Sequence, residues 1–101
     1  MYWVYILLCA GKTLYTGTTP QLERRIKEHN EGKGAKYTRG RRPVVLKQAW
    51  VVENRGQALR LEAFIKRFSR QEKEAMIASP EKLLQLAKEK GYEFDIGVLN
   101  S

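Results

Sequence analysis

A chain of 101 residues with 43% hydrophobic and 30% charged residues is sized for one domain with a single core, and is too apolar to remain disordered. One cysteine and one histidine exclude an internal disulfide, a Cys-rich zinc site and a His-based metal cluster; any metal would take oxygen ligands, which favours Mg²⁺ or Mn²⁺ over zinc. Nineteen Lys and Arg against eleven Asp and Glu give a net charge of +8 and a pI near 9.8, a balance suited to a polyanionic partner such as nucleic acid and equally open to a solvated basic surface.

The first apolar run, residues 2–9, is β-branched and aromatic, and residues 13–18 form another, with Ala10-Gly11-Lys12 as a turn between them; a hairpin is expected. The first run is too short to cross a bilayer and has no basic segment before it, so no membrane partner and a cytoplasmic location are expected. Thr19-Pro20 supplies a cap and a proline for a helix over residues 20–31, with Leu22, Ile26 and His29 at helical spacing. Residues 32–43, "GKGAKYTRGRRP", carry five positive charges and no negative one and form a loop long enough to suggest function. A third strand is expected over residues 44–53, then a helix over 55–68 capped by Asn54, with Ala58, Leu61, Phe64, Ile65 and Phe68 on one face. Ser69 and Glu72 have the spacing of a capping box, opening a helix to residue 78. Ser79-Pro80 opens a last helix over residues 80–90 that Gly91 ends. The fold class is α+β, a three-stranded, largely antiparallel sheet flanked by helices in the order ββαβααα, with one domain over residues 1–91 and a short C-terminal tail over 92–101.

The charge is concentrated. Residues 20–50 hold nine Lys and Arg against three Asp and Glu, whereas residues 75–101 hold three against four. Within the basic part, Arg25 and His29 stand four residues apart, about 40° around a helix axis, and could grip one ligand. Glu62 lies at the margin of an apolar stripe, where a carboxylate is costly to desolvate unless paired or bound to a cation; Lys66, four residues on, is its obvious helix partner. The bland readings are surface residues for Arg25 and His29, an ordinary ion pair for Glu62, and packing for Tyr5 and Tyr15. Gly11-Lys12-Thr13 is no phosphate loop, because Ile6 stands where that motif needs a glycine.

Val4-Tyr5-Ile6 followed by Tyr15-Thr16-Gly17 resembles the paired signature of the GIY-YIG nuclease superfamily, with Val4 in place of its glycine and Thr16 in place of its isoleucine. Arg25, His29 and Glu62 fall where that family carries its arginine, its histidine or tyrosine, and its metal-binding glutamate. "HNEGKGAKYTRGRRPVVL" looks like its small, single-domain bacterial branch, and the likeness runs over about residues 2–73. It implies hydrolysis of DNA phosphodiesters by a metal-dependent endonuclease, with a role in DNA repair or recombination. Glu62 would be the ligand of Mg²⁺ or Mn²⁺. Arg25 would bind non-bridging oxygens, and Tyr5 and Tyr15 would orient water and phosphate. His29, mostly neutral near pH 7, would accept the proton directly or through Tyr15. Lys33, Lys36, Arg39, Arg41, Arg42 and Lys66 would contact nucleic acid, branched or single-stranded DNA included, with Tyr37 stacking on a base. The resemblance does not extend to the attached DNA-targeting domain that many larger members possess, so substrate choice is left open, and a targeting partner protein is among the expected partners. The rival readings are a non-catalytic nucleic-acid-binding module that keeps the nuclease fold, and a protein interaction domain with a basic surface.

Overall fold

The computed structural model describes residues 1–99. Nine elements follow one another: β1 (Tyr2–Leu8), β2 (Leu14–Thr19), α1 (Leu22–Asn30), α2 (Lys36–Arg39), β3 (Val45–Val52), α3 (Arg55–Lys66), α4 (Arg70–Ala78), α5 (Glu81–Lys90) and β4 (Gly97–Val98). The strands form one antiparallel sheet in the order β2-β1-β3-β4. It has four strands rather than the expected three. The segment expected as a tail turns back instead: Tyr92, Phe94, Ile96 and Val98 pack on the core, and Val98 and Gly97 pair with Trp50 and Val51. Burial of the alternating apolar series at residues 92, 94, 96 and 98 outweighs the weak strand signal of the two-residue Gly97-Val98 step. Residues 100 and 101 of the expected tail lie outside the described residues.

Strand alternation divides the core into two layers. Val4, Ile6, Trp50 and Val52 face Ala58, Leu61, Phe64 and Ile65 of α3, with Met76 of α4 and Leu83 and Ala87 of α5 completing that layer. On the other face Tyr5, Leu7 and Ala49 meet Leu22 and Ile26 of α1 and Val44. Trp50 is fully buried, and its indole N–H donates to Pro80 O at 3.0 Å, which ties the central sheet to the start of α5.

The local signals behave as their chemistry requires. Asn54 Oδ1 accepts from Gln57 N at the start of α3, Ser69 and Glu72 form the reciprocal capping box of α4, and Gly91 ends α5 with φ of 102°. Helix α1 begins later than expected. Thr19 Oγ1 accepts from Gln21 N at 3.1 Å in a turn that precedes the helix, so the threonine closes β2 and Gln21 takes the cap position.

Candidate nuclease site

The register of β1 and β2 builds the first half of the site. Tyr5 stands opposite Gly17, and Tyr15 stands opposite Leu7, so the two tyrosines are diagonal neighbours on the α1 face of the sheet. Their ring centroids are 6.4 Å apart. A Cβ on Gly17 would lie 2.6 Å from Tyr5 Oη and 3.0 Å from Tyr15 Cε2. Only a glycine leaves room for both rings there.

Helix α1 supplies the next groups. The stripe of Leu22, Ile26 and His29 turns inward, and His29 has no exposed surface. Its Nε2 lies 2.8 Å from Tyr5 Oη and its Nδ1 lies 2.7 Å from Thr38 Oγ1. Tyr5 and Tyr15 meet the imidazole edge-on, with centroids at 5.8 and 5.4 Å. Burial, reinforced by Arg25, holds His29 below its ordinary value of 6.5. Burial pushes Tyr5 up to about 12, against the pull of the Arg25 guanidinium beside its hydroxyl. Tyr15 is raised mainly by burial too, with Lys66 lowering it and Glu62 raising it. Arg25 stays charged: partial burial opposes its charge, but the Tyr5 hydroxyl and Glu28 more than offset that. Its Nη1 reaches Glu28 Oε1 at 3.3 Å.

Helix α3 brings the carboxylate. Glu62 Oε2 lies 3.3 Å from Lys66 Nζ, with the glutamate side chain 19% exposed. Its charge is felt at both Tyr5 and Tyr15. Arg25 and Glu62 thus both act on Tyr5 and Tyr15, and His29 joins the group through its contacts with the two phenols. The route from His29 to solvent differs from the expected one. His29 is sealed and Tyr5 is only 1% exposed, and the imidazole nitrogen that faces a phenol bonds Tyr5, not Tyr15. Direct uptake of a proton from water by His29 is closed by this packing, and Tyr5 is its one phenolic hydrogen-bond partner.

The basic segment is more ordered than a loop. Its residues 36–39 form α2, which places Thr38 inside while Lys33, Lys36, Tyr37, Arg39, Arg41 and Arg42 are exposed. Tyr37 stacks on Tyr15 at 5.8 Å and 23°, with the Arg41 guanidinium 3.9 Å over its ring. Both partners are thus in place where a stacked base was expected. Arg41 also donates to Tyr37 O and Arg42 to Arg39 O, so these two guanidinia brace the segment from within. Lys33, Lys36 and Arg39 point outward, and Lys66 is exposed beside Glu62.

The GIY-YIG catalytic domain, as a family model, matches residues 1–75, the stretch that contains all five of these groups. This chain belongs to the GIY-YIG family. Its relatives include a UPF0213 protein of Clostridium perfringens, 46% identical over 97% of this chain and 100% of that protein. A UPF0213 protein of Staphylococcus haemolyticus is 51% identical over 75% of this chain and 93% of its own, and one from the archaeon Halobacterium salinarum is 47% identical over 75% and 99%. The solution NMR structure of a UPF0213 protein from Bacillus halodurans superimposes with a TM-score of 0.50 at 42% identity, covering 83% of this chain and 94% of that one. Membership gives the chain a nuclease-type function. No described helix is long and apolar enough to cross a membrane.

Within this GIY-YIG domain the tight fit at Gly17 makes a prediction. Gly17→Ala is expected to displace the Tyr5 hydroxyl and lower single-turnover nuclease activity by about 10²-fold. Gly40→Ala, where a Cβ meets nothing within 4 Å, is expected to match the wild type in the same assay.

Three residues around His29 escaped sequence reasoning. Thr38 bonds the imidazole, and Gly34 lies so close that a Cβ there would be 2.3 Å from His29 Nδ1. Asn30 clamps the base of the basic segment, with its Oδ1 accepting from Val44 N at 2.7 Å and its Nδ2 donating to Val44 O at 3.2 Å. Thr38 sits among exposed charges and has no periodic signal. Gly34 stands between two other glycines of the segment, and only Gly32, with φ of +80°, shows the usual conformational reason for the residue.

Proposed function

We propose that this chain is a metal-dependent endonuclease that hydrolyses DNA phosphodiester bonds in DNA repair or recombination, with substrate choice aided by a targeting partner protein. The observation that carries the reading is that the catalytic-domain match over residues 1–75 coincides with a cluster in which Tyr5 Oη lies 2.8 Å from His29 Nε2 and the Tyr5 and Tyr15 rings lie 6.4 Å apart. A phosphate bound between the guanidinium and the carboxylate would lie over the two phenols.

Glu62 would hold Mg²⁺ or Mn²⁺. The donor set fits such an ion, which keeps several waters and takes one or two carboxylates with substrate phosphate. Among the described residues no group of three or more His, Cys, Asp or Glu side chains converges to form a fuller cage. Lys66, 53% exposed, holds Glu62 only through a surface ion pair, worth little and easily exchanged. When bound, the ion supplies Lewis-acid stabilisation of charge on the phosphate and the leaving oxygen.

The chain's own groups do the rest. Arg25 presents a planar fork to non-bridging oxygens and stabilises the charge that grows on them. Drawing that guanidinium onto phosphate uncovers the Tyr5 hydroxyl. With its pKa near 12, Tyr5 is a phenolate in only about one molecule in 10⁵ at pH 7, so it cannot serve as a standing base. It instead takes the proton of the attacking water as it passes its own proton to His29 Nε2. Tyr15, half-buried and nearer the surface, orients the water and phosphate, and Lys33, Lys36 and Arg39 hold neighbouring phosphates.

The test uses purified protein with supercoiled, branched and single-stranded DNA, with Mg²⁺, Mn²⁺ or chelator. Metal-dependent cleavage that falls about 10³-fold in Glu62→Ala, with DNA binding kept, supports the enzyme. Binding without any cleavage would replace it with a nucleic-acid-binding module, and neither binding nor cleavage would leave a protein interaction domain.

A further inference from the structure

A neutral imidazole has two tautomers, and only one lets His29 receive a proton from Tyr5. The surrounding hydrogen bonds choose between them. Thr38 Oγ1 lies 2.9 Å from Ala35 O. A carbonyl can only accept, so the single hydroxyl proton of Thr38 points there. The 2.7 Å contact between Thr38 Oγ1 and His29 Nδ1 must then take its proton from the ring. In a neutral ring that leaves Nε2 bare, and Tyr5 O–H donates to it across 2.8 Å. The opposite tautomer would set two lone pairs against each other at the Thr38 contact, in a place closed to water.

We propose that Thr38 is a positioning residue of the site: its hydroxyl fixes the Nδ1–H tautomer of His29, and so keeps Nε2 free as the proton acceptor for Tyr5. This rests on the nuclease reading given above. Thr38 touches no substrate. It acts through His29, as a backbone-anchored relay of the kind that orients a catalytic histidine. The groups that face the imidazole are Tyr5 from β1, Tyr15 from β2, and Arg25 and Glu28 from α1 itself. None of them offers Nδ1 a hydrogen bond, so Thr38 alone supplies this control. Lys36 and Arg39 flank Thr38 on the same short turn, so a shift of α2 on phosphate would be felt at the imidazole.

His29 is the only histidine, so two-bond ¹H–¹⁵N correlation of ¹⁵N-histidine-labelled protein reads this ring alone. The wild type and Thr38→Ser are expected to show a protonated Nδ1 and a bare Nε2 at neutral pH. Thr38→Val, nearly isosteric but without the hydroxyl, is expected to move the proton to Nε2. Its single-turnover cleavage should fall about 10²-fold with DNA affinity unchanged, and Thr38→Ser should recover most of that rate. Thr38→Ala serves as the second hydroxyl-free variant if valine prevents folding. A wild-type ring protonated on Nε2, a hydroxyl-free variant that keeps Nδ1–H, or one that cleaves at the wild-type rate would each overturn the proposal. If the wild type does not cut DNA at all, the nuclease reading fails by itself, and the spectra still decide whether Thr38 sets the tautomer.

Discussion

Replacing His29 with alanine is expected to lower the single-turnover cleavage rate by about 10²- to 10⁴-fold, the usual worth of a proton acceptor, while DNA affinity stays near that of the wild type. The affinity should hold because the ring has no exposed surface and cannot contact DNA itself. An unchanged rate would remove His29 from the chemistry. The pH dependence has a definite direction. Burial first, and then Arg25, lower the His29 pKa below 6.5, so the competent neutral ring persists into mildly acidic solution. The acid limb of the rate profile should therefore lie below pH 6.5. Stability follows the same group. Below 6.5 the unfolded chain takes up a proton that the folded chain refuses, so the unfolded state gains with falling pH. The contribution of His29 is fully present above 6.5 and is lost as pH drops from there through the lower folded-state value. Thermal unfolding of the wild type should show this loss, and His29→Gln should not. Equal pH dependence in both proteins would contradict a buried neutral imidazole.

Gly34→Ala should give the largest loss of stability among the glycine substitutions. Its Cβ would fall 2.3 Å from His29 Nδ1, 2.7 Å from Cγ and 2.8 Å from the backbone Cα of the same residue. A flexible side chain could yield, but the α1 backbone cannot. The segment must lift from α1, which breaks the His29–Thr38 bond and wets a buried imidazole. Overpacking of this kind costs about 1–3 kcal/mol, and each kcal/mol lowers the melting temperature of a domain this size by about 4–8 °C. Thermal unfolding of Gly34→Ala against Gly40→Ala measures the difference, and equal melting temperatures would show that the close approach at residue 34 carries no constraint. A Gly34→Ala protein that folds is also expected to lose most of its cleavage, because the bond that orients His29 is gone.

These two residues show where sequence reading stops. His29 was visible, because Leu22, Ile26 and His29 keep helical spacing and Arg25 stands one turn from the histidine. Tyr5 and Tyr15 were visible as the paired tyrosines of two strands, and Glu62 as a carboxylate at the edge of an apolar stripe. Their neighbours were not. Thr38 and Gly34 lie in a run of lysines, arginines and glycines, where composition points outward to solvent and phosphate and nothing marks the two positions that turn inward. The hydrogen-bond partner of His29 was equally hidden. Two tyrosines with similar surroundings in sequence differ in depth by their register against Gly17 and Leu7, and this difference gives the hydrogen bond with His29 to Tyr5.

Short-range rules decided what the sequence could determine alone. Period-two and helical apolar spacing, the Asn54 cap, the Ser69–Glu72 box and the Gly91 terminus each depend on residues within a few positions of one another, and so they specified the three principal strands and the four long helices. The fourth strand, the inward turn of Thr38, the sealing of Tyr5 and His29 and the choice of imidazole tautomer all depend on groups far apart in the chain. Val98 gains a strand only because Trp50 already lies in a sheet, and His29 gains an oriented proton only because Thr38 and Tyr5 close on its two nitrogens. Packing and desolvation act between neighbours in space, so folding had to bring those neighbours together before the chemistry of the site was defined.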